Sequence, residues 1–237
     1  MTDAKIAIIR DGSSDFMVLK SFISSVILNE RNIKLSDANF LDLGLNMGEA
    51  VSKYLDSTNK GNEIDRAKKL KKTIIQVLFT ASRKETFTNK DIIILNSDAE
   101  HRLMRPENFY EVWIRGLYSV ISLAIDEFYK VMVTQGYGFK DLPIIIPLIL
   151  FPSIEILVAA CYLSDADKGN IRQLRAKPDL KIKVWDTESI PVAIETGKID
   201  EVLQLCFNNG NTSLDEIYKS IPEARNLIHI LSYPAPA

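Results

Sequence analysis

The most informative stretch of this chain is Asp91-Ile92-Ile93-Ile94-Leu95-Asn96-Ser97-Asp98-Ala99-Glu100-His101. The stretch Asp91 to Leu95 is, after its opening acid, an apolar run without the alternation of a half-solvated strand, so it reads as a central parallel strand buried on both faces. The polar residues from Asn96 to His101 mark where that strand is expected to leave the sheet. A strand buried on both faces needs helices above and below it, and the flanking sequence supplies them. Upstream, the short β-branched run Lys5 to Ile9 is interrupted by Asp11-Gly12-Ser13-Ser14, after which Val18, Leu19, Phe22, Ile23, Val26 and Ile27 recur at helical spacing. This is strand, turn and helix, with Ser13 or Ser14 expected to cap the helix and Asp15 suited to the positive end of its dipole. Asn39 to Leu43 reads as a weak second strand. A charged helical stretch from Glu49 to Ala81 follows, with a break at Gly61-Asn62.

Downstream, the apolar residues from Asn108 to Val133, Leu117, Ile121, Ala124 and Phe128 among them, form one stripe of a long helix. A strand at Pro143 to Leu150, a buried helix from Ser153 to Tyr162, a strand around Lys181 to Trp185 and helices near Ile199 to Phe207 and Pro222 to Leu231 complete the expectation. The alternation predicts an α/β fold: a mostly parallel sheet with helices on both faces. Residues 1–164 are read as the α/β core and 165–237 as a C-terminal strand and helices packed on the same domain, the boundary falling in the polar connection Ser164 to Lys177.

Composition narrows the function classes. The chain has 237 residues, with 29 Lys and Arg against 31 Asp and Glu for a formal net charge of −2, which excludes a broadly basic, histone-like nucleic-acid binder. Hydrophobic residues make up 46%, enough for a sizeable core. Cys161 and Cys206 stand in apolar surroundings without Cys-x-x-Cys or zinc spacing, and no charged-then-apolar leader opens the chain; the expected compartment is the reducing cytoplasm, without disulfides. The apolar segment Leu142 to Leu163 approaches the ~20 residues of a membrane span. Pro143, Pro147, Pro152 and Glu155 argue against one, so no membrane partner is expected. Phosphate-loop, dinucleotide and nucleophile-elbow motifs are absent from the sequence.

In open parallel sheets ligands bind beyond the carboxyl ends of the strands. Two such ends are acidic here: Asp11 after the first strand, and Asp98 with Glu100 after the third. In extended chain Asp98 and Glu100 point the same way and present two carboxylates to one ion, the oxygen ligands that hard cations such as Mg2+ or Mn2+ prefer.

The run Ile8 to Ile23, with Asp11-Gly12-Ser13-Ser14-Asp15 at its centre, resembles the opening motif of the TOPRIM family, shared by topoisomerases, primases and overcoming-lysogenisation-type nucleases. Ile92 to Glu100 resembles that family's second motif, a hydrophobic strand followed by Asp-x-Asp. The resemblance covers these two short motifs in the first half of the chain and implies a Rossmann-like, TOPRIM-like sheet. In the family a glutamate acts as general acid or base and the Asp pair holds magnesium for phosphoryl transfer. By position Asp11 takes the glutamate's place, while Asp98 and Glu100 take that of the Asp pair. Carboxylates are kept at all three positions, but Asp11 is one methylene shorter and Glu100 one longer than the family residues. Pro152-Ser153-Ile154-Glu155 is similar to the acid that follows a later strand in compact relatives, making Glu155 a fourth candidate ligand or an orienting residue.

Two functions are therefore expected alternatives. One is a Mg2+-dependent phosphoryl-transfer enzyme, a nuclease in its most concrete form, with Asp11, Asp98 and Glu100 catalytic, Glu155 joining them as metal ligand, and Asp15, Ser13 and His101 in secondary roles. Its substrate would be nucleic acid or nucleotide. The other is a catalytically degenerate TOPRIM-like protein that acts through a protein partner such as an ATPase. The lysines Lys68, Lys69, Lys71 and Lys72 could track a phosphate backbone, as could Lys168, Arg172, Arg175, Lys177, Lys181 and Lys183, which follow Asp165 and Asp167; the first group covers too many helix faces to form one stripe, and solvation is the role expected of it.

Overall fold

The computed structural model describes residues 4–56, 62–99, 109–150, 153–162, 207 and 211–232. They form four strands, β1 (Ile6–Ile9), β2 (Phe40–Asp42), β3 (Ile92–Asp98) and β4 (Ile144–Leu150). The helices are α1 (Ser13–Arg31), α2 (Gly48–Leu55), α3 (Glu63–Lys84), α4 (Phe109–Thr134), α5 (Glu155–Tyr162), α6 (Asn211–Ser220) and α7 (Pro222–Ser232). All strand pairs are parallel and the spatial order is β2-β1-β3-β4. The expected α/β class, parallel sheet and two helical layers are therefore observed.

Because side chains alternate across a strand, each strand feeds two cores. Ile6, Ile8, Ile92, Ile94, Ile146 and Leu148 pack under α1, α5, α6 and α7. Ala7, Ile9, Ile93, Leu95, Ile145 and Ile149 pack under α2, α3 and α4. Phe207 belongs to the first layer and meets Phe22 edge-on, with ring centroids 5.4 Å apart. The helix α7 rests on α1 and β4, so residues beyond 210 close the same core as the N-terminal strands. Pro147 lies within β4, which has β3 as its one partner among the described residues; an outer strand tolerates the missing N–H that a central one would not.

Several details depart from the sequence expectation. The strand β3 does not end at Leu95 but runs through Asn96, Ser97 and Asp98, which are in register with Leu148, Ile149 and Leu150. Gly12, not a serine, occupies the cap position of α1, and the reciprocal bonds come from Asp15, whose Oδ2 accepts from Gly12 N at 2.9 Å and Asp11 N at 3.1 Å. The charged stretch 49–81 divides into α2 and α3, and Asn62 caps α3 by accepting from Ile64 N. The helix α6 falls where the sequence signalled none. The expected strand at 181–185 lies outside the described residues, as do Asp165, Asp167 and the basic residues from 168 to 183, and of the expected helix Ile199 to Phe207 only Phe207 is described. No helix of the described residues is long and apolar enough to cross a membrane; the described part of the segment Leu142 to Leu163 contains β4 and α5.

Candidate functional site

Leaving β1, the chain passes to β2 on one side, while β3 is laid down on the other. The crevice beyond the carboxyl ends of β1 and β3 is thus a topological switch point, where open α/β sheets bind ligands. Asp11 stands on one bank and Asp98 on the other. The two meet: Asp11 Oδ2 accepts from Asp98 N and from Ser97 Oγ, each at 3.2 Å.

Asp11 is held from three sides. Arg10 N donates to Leu45 O, tying the end of β1 to the segment after β2, and Asn46 Nδ2 donates to Asp11 O at 2.6 Å. Asn46 Oδ1 in turn accepts from Gly48 N at 2.7 Å, so one side chain joins the β1 loop to the start of α2. Arg10 is itself anchored by Asp42, its Nε 3.0 Å from the carboxylate, and this contact holds the Asp42 carboxyl below its usual range even though desolvation opposes it.

The remaining acids gather on the side of β3 that faces α1 and α5. Asn96 and Asp98 share that side by strand alternation. Asp98 Oδ1 accepts from Ile154 N at 2.9 Å, just ahead of α5, while Asn96 Nδ2 donates to Asp15 Oδ2 at 3.0 Å. Asp15 is 3% exposed, and Glu155, the first residue of α5, is fully buried. Burial is the main reason that the Asp15 carboxyl is pushed above its usual range; the backbone amides of Gly12 and Asp11 oppose the shift, and the nearby charges of Asp11 and Glu155 reinforce it. Asn96 Oδ1, also buried, has no hydrogen-bond donor among the described residues.

Asp11, Asp15, Asp98 and Glu155 are thus brought to one rim of the sheet. Glu100 and His101 lie outside the described residues, and so does the side chain of Ser13. Among the described residues, no three His, Cys, Asp or Glu side chains stand close enough to share one metal ion. The reason is visible at β3: Asp11 engages the Ser97 side of the strand tip, whereas the Asp98 carboxylate turns toward α5. Sequence reasoning did not find Asn46, Gly48, Asn96 and Ser97. Asn96 and Ser97 had a signal, since polar residues directly after a buried strand can still belong to it; Asn46 and Gly48 had none.

The chain matches no family model, no curated protein and no solved structure.

Proposed function

We propose that the crevice between β1 and β3 is a divalent-cation site serving phosphoryl transfer, with nuclease action as its most concrete form. The meeting of Asp11 with the tip of β3, across 87 residues of sequence, carries this reading, because it joins the two acidic strand ends that the TOPRIM resemblance singles out. The donor set is all oxygen, and the undonated Asn96 Oδ1 beside Asp15 is a further oxygen of the kind that hard cations accept. Asp98 and Glu100 would hold Mg2+ or Mn2+, Asp11 would complete the set or move a proton, and Glu155 and Asp15 would orient the rest. When bound, a divalent ion supplies charge neutralisation and Lewis acidity to a phosphoryl group. Titration of the wild type with Mg2+ and Mn2+, followed by thermal unfolding, should give a rise in Tm that is lost in Asp98→Asn. Cation-dependent cleavage of nucleic acid should disappear in the same variant, and cleavage that persists there would remove Asp98 from the reaction.

A second reading has a specific observation in its favour. Asp11, Asp15 and Asp98 each accept a backbone N–H, as carboxylates that only brace a fold do. A degenerate TOPRIM-like protein working through a partner fits that use. Absence of stabilisation by either cation would select it.

A further inference from the structure

The lysine run of α3 does not behave as one surface. Lys68 lies 3.9 Å from Asp65, and Lys71 lies 2.6 Å from Glu127 of α4, so each of these two ammonium groups already faces a carboxylate. Lys69 and Lys72 are exposed, and neither has an ion-pair partner among the described residues. Both instead line a groove of about 920 Å3 between α2 and α3 that ends at Asp11 and Asn46. Arg66, Lys69, Thr73 and Gln76 follow one another at steps of three and four residues, one face of a helix, and all four line the groove, with Lys72 beside them. The side chains along this face are hydrogen-bonding or cationic. Of the carboxylates in the wall, Glu49 is paired with Lys53 and Asp65 stands by Lys68, which leaves Asp11 at the inner end.

We infer that this groove binds a phosphate-bearing chain, its backbone laid along the Arg66, Lys69 and Lys72 side of α3 and its end brought to Asp11. The inference extends the phosphoryl-transfer reading by naming the surface that would deliver the substrate, but binding in the groove needs no metal. The net charge of −2 is no obstacle, because Lys69 and Lys72 place positive charge locally on the groove and make no ion pair among the described residues. Among the residues lining the groove the one aromatic is Tyr54, which is 2% exposed, so the wall offers no platform for stacking bases and recognition falls on phosphates. A single-stranded nucleic acid and linear polyphosphate both present that chemistry.

The test is fluorescence anisotropy in EDTA with a labelled oligothymidylate of about 15 nucleotides, near the upper site size of sequence-independent single-strand binders. The double variant Lys69→Ala/Lys72→Ala should lose about tenfold or more in affinity. Its log–log salt dependence should flatten by about 1.4, the release of counterions from two single-strand phosphate contacts. Lys68→Ala/Lys71→Ala removes the same charge from the same helix and should change affinity far less. Competition with linear polyphosphate distinguishes the two sources: displacement at equal phosphate concentration identifies a general phosphate-chain site, and failure to displace identifies a nucleotide chain. No binding of either polymer, or an equal loss in both double variants, would overturn the proposal. Binding is read in EDTA and the cation site by the rise in Tm with Mg2+ or Mn2+, so wild type that binds the oligonucleotide but gains no Tm from either ion fails the cation site alone, and wild type that gains Tm but binds neither polymer fails the groove alone.

Discussion

The Asp11 carboxylate fills the space that a side chain at residue 48 would need: a methyl group built on Gly48 falls 1.6 Å from Asp11 Oδ1. Gly48 opens α2, where alanine would normally be favoured over glycine by about 1 kcal/mol. Here the sign should reverse. In Gly48→Ala the carboxylate must leave its seat and give up Ser97 Oγ and Asp98 N, at a cost of about 1–3 kcal/mol typical of overpacking, read from urea unfolding. In Asp11→Ala/Gly48→Ala the clash is gone, so the double variant should be less destabilised than the sum of the single ones. Simple additivity would mean that Asp11 re-seats without strain.

Asp15 should make stability depend on pH. Its folded carboxyl titrates above the ordinary value of 3.8, so between that value and the raised one the native state holds more protons than the unfolded chain. Its contribution is therefore greatest below the window and is lost as pH rises through the raised value. Asp15→Asn removes the charge while keeping an oxygen acceptor, and should gain stability relative to wild type on going from about pH 3.5 to pH 7. Asp15→Ala strips the acceptor from Asp11 N, Gly12 N and Asn96 Nδ2, and should cost about 1–3 kcal/mol at either pH. Unfolding midpoints at the two pH values check both outcomes.

Two tyrosines of α4 strap β4 in place. Tyr118 Oη accepts from Ile149 N at 3.2 Å, and Tyr129 Oη donates to Pro143 O at 2.7 Å. Burial pushes the Tyr118 hydroxyl up to about 12. Tyr118→Phe leaves a buried strand N–H without its acceptor and should destabilise by about 1–3 kcal/mol. Spectrophotometric titration of the folded protein should then lack one late-ionising phenol. An unchanged titration curve would show that the Tyr118 hydroxyl is not held back from ionising in the folded protein.

The strands and helices of the N-terminal half were legible because their signals are local: Ile6 to Ile9 and Ile92 to Leu95 are continuous apolar runs, and α1 and α4 carry stripes at helical spacing. The tip of β3 was not. Asn96, Ser97 and Asp98 look like loop, and they remain strand because Leu148 to Leu150 pair with them and because Asn96 and Ser97 find partners in Asp15 and Asp11. The cap of α1 differs for a related reason: serine hydroxyls and an aspartate three residues past the cap both suit a helix start, and Asp15, which accepts from Asp11 N and Gly12 N, is also held by Asn96, 81 residues away. The helix α6 escaped because Leu214 and Ile217 are its main apolar anchors, too few for a periodic stripe. At the rim, the sequence marked Asp11 and Asp98, and Asp11 Oδ2 does accept from Asp98 N, but the Asp98 carboxylate is turned away to Ile154 N, a direction that strand spacing does not encode. Which lysines of α3 face a carboxylate depends on Glu127, 56 residues from Lys71, and no spacing rule reaches that far.

Pairing β1 directly with β3, and not with a hairpin neighbour, has a price in time. Lys5 waits for Asp91, 86 residues downstream, before the central ladder can start, so the first third of the chain emerges from synthesis with its innermost strand still lacking one neighbour. Fragments that stop short of residue 98 should collapse without acquiring cooperative unfolding, and the full chain should refold slowly for its size.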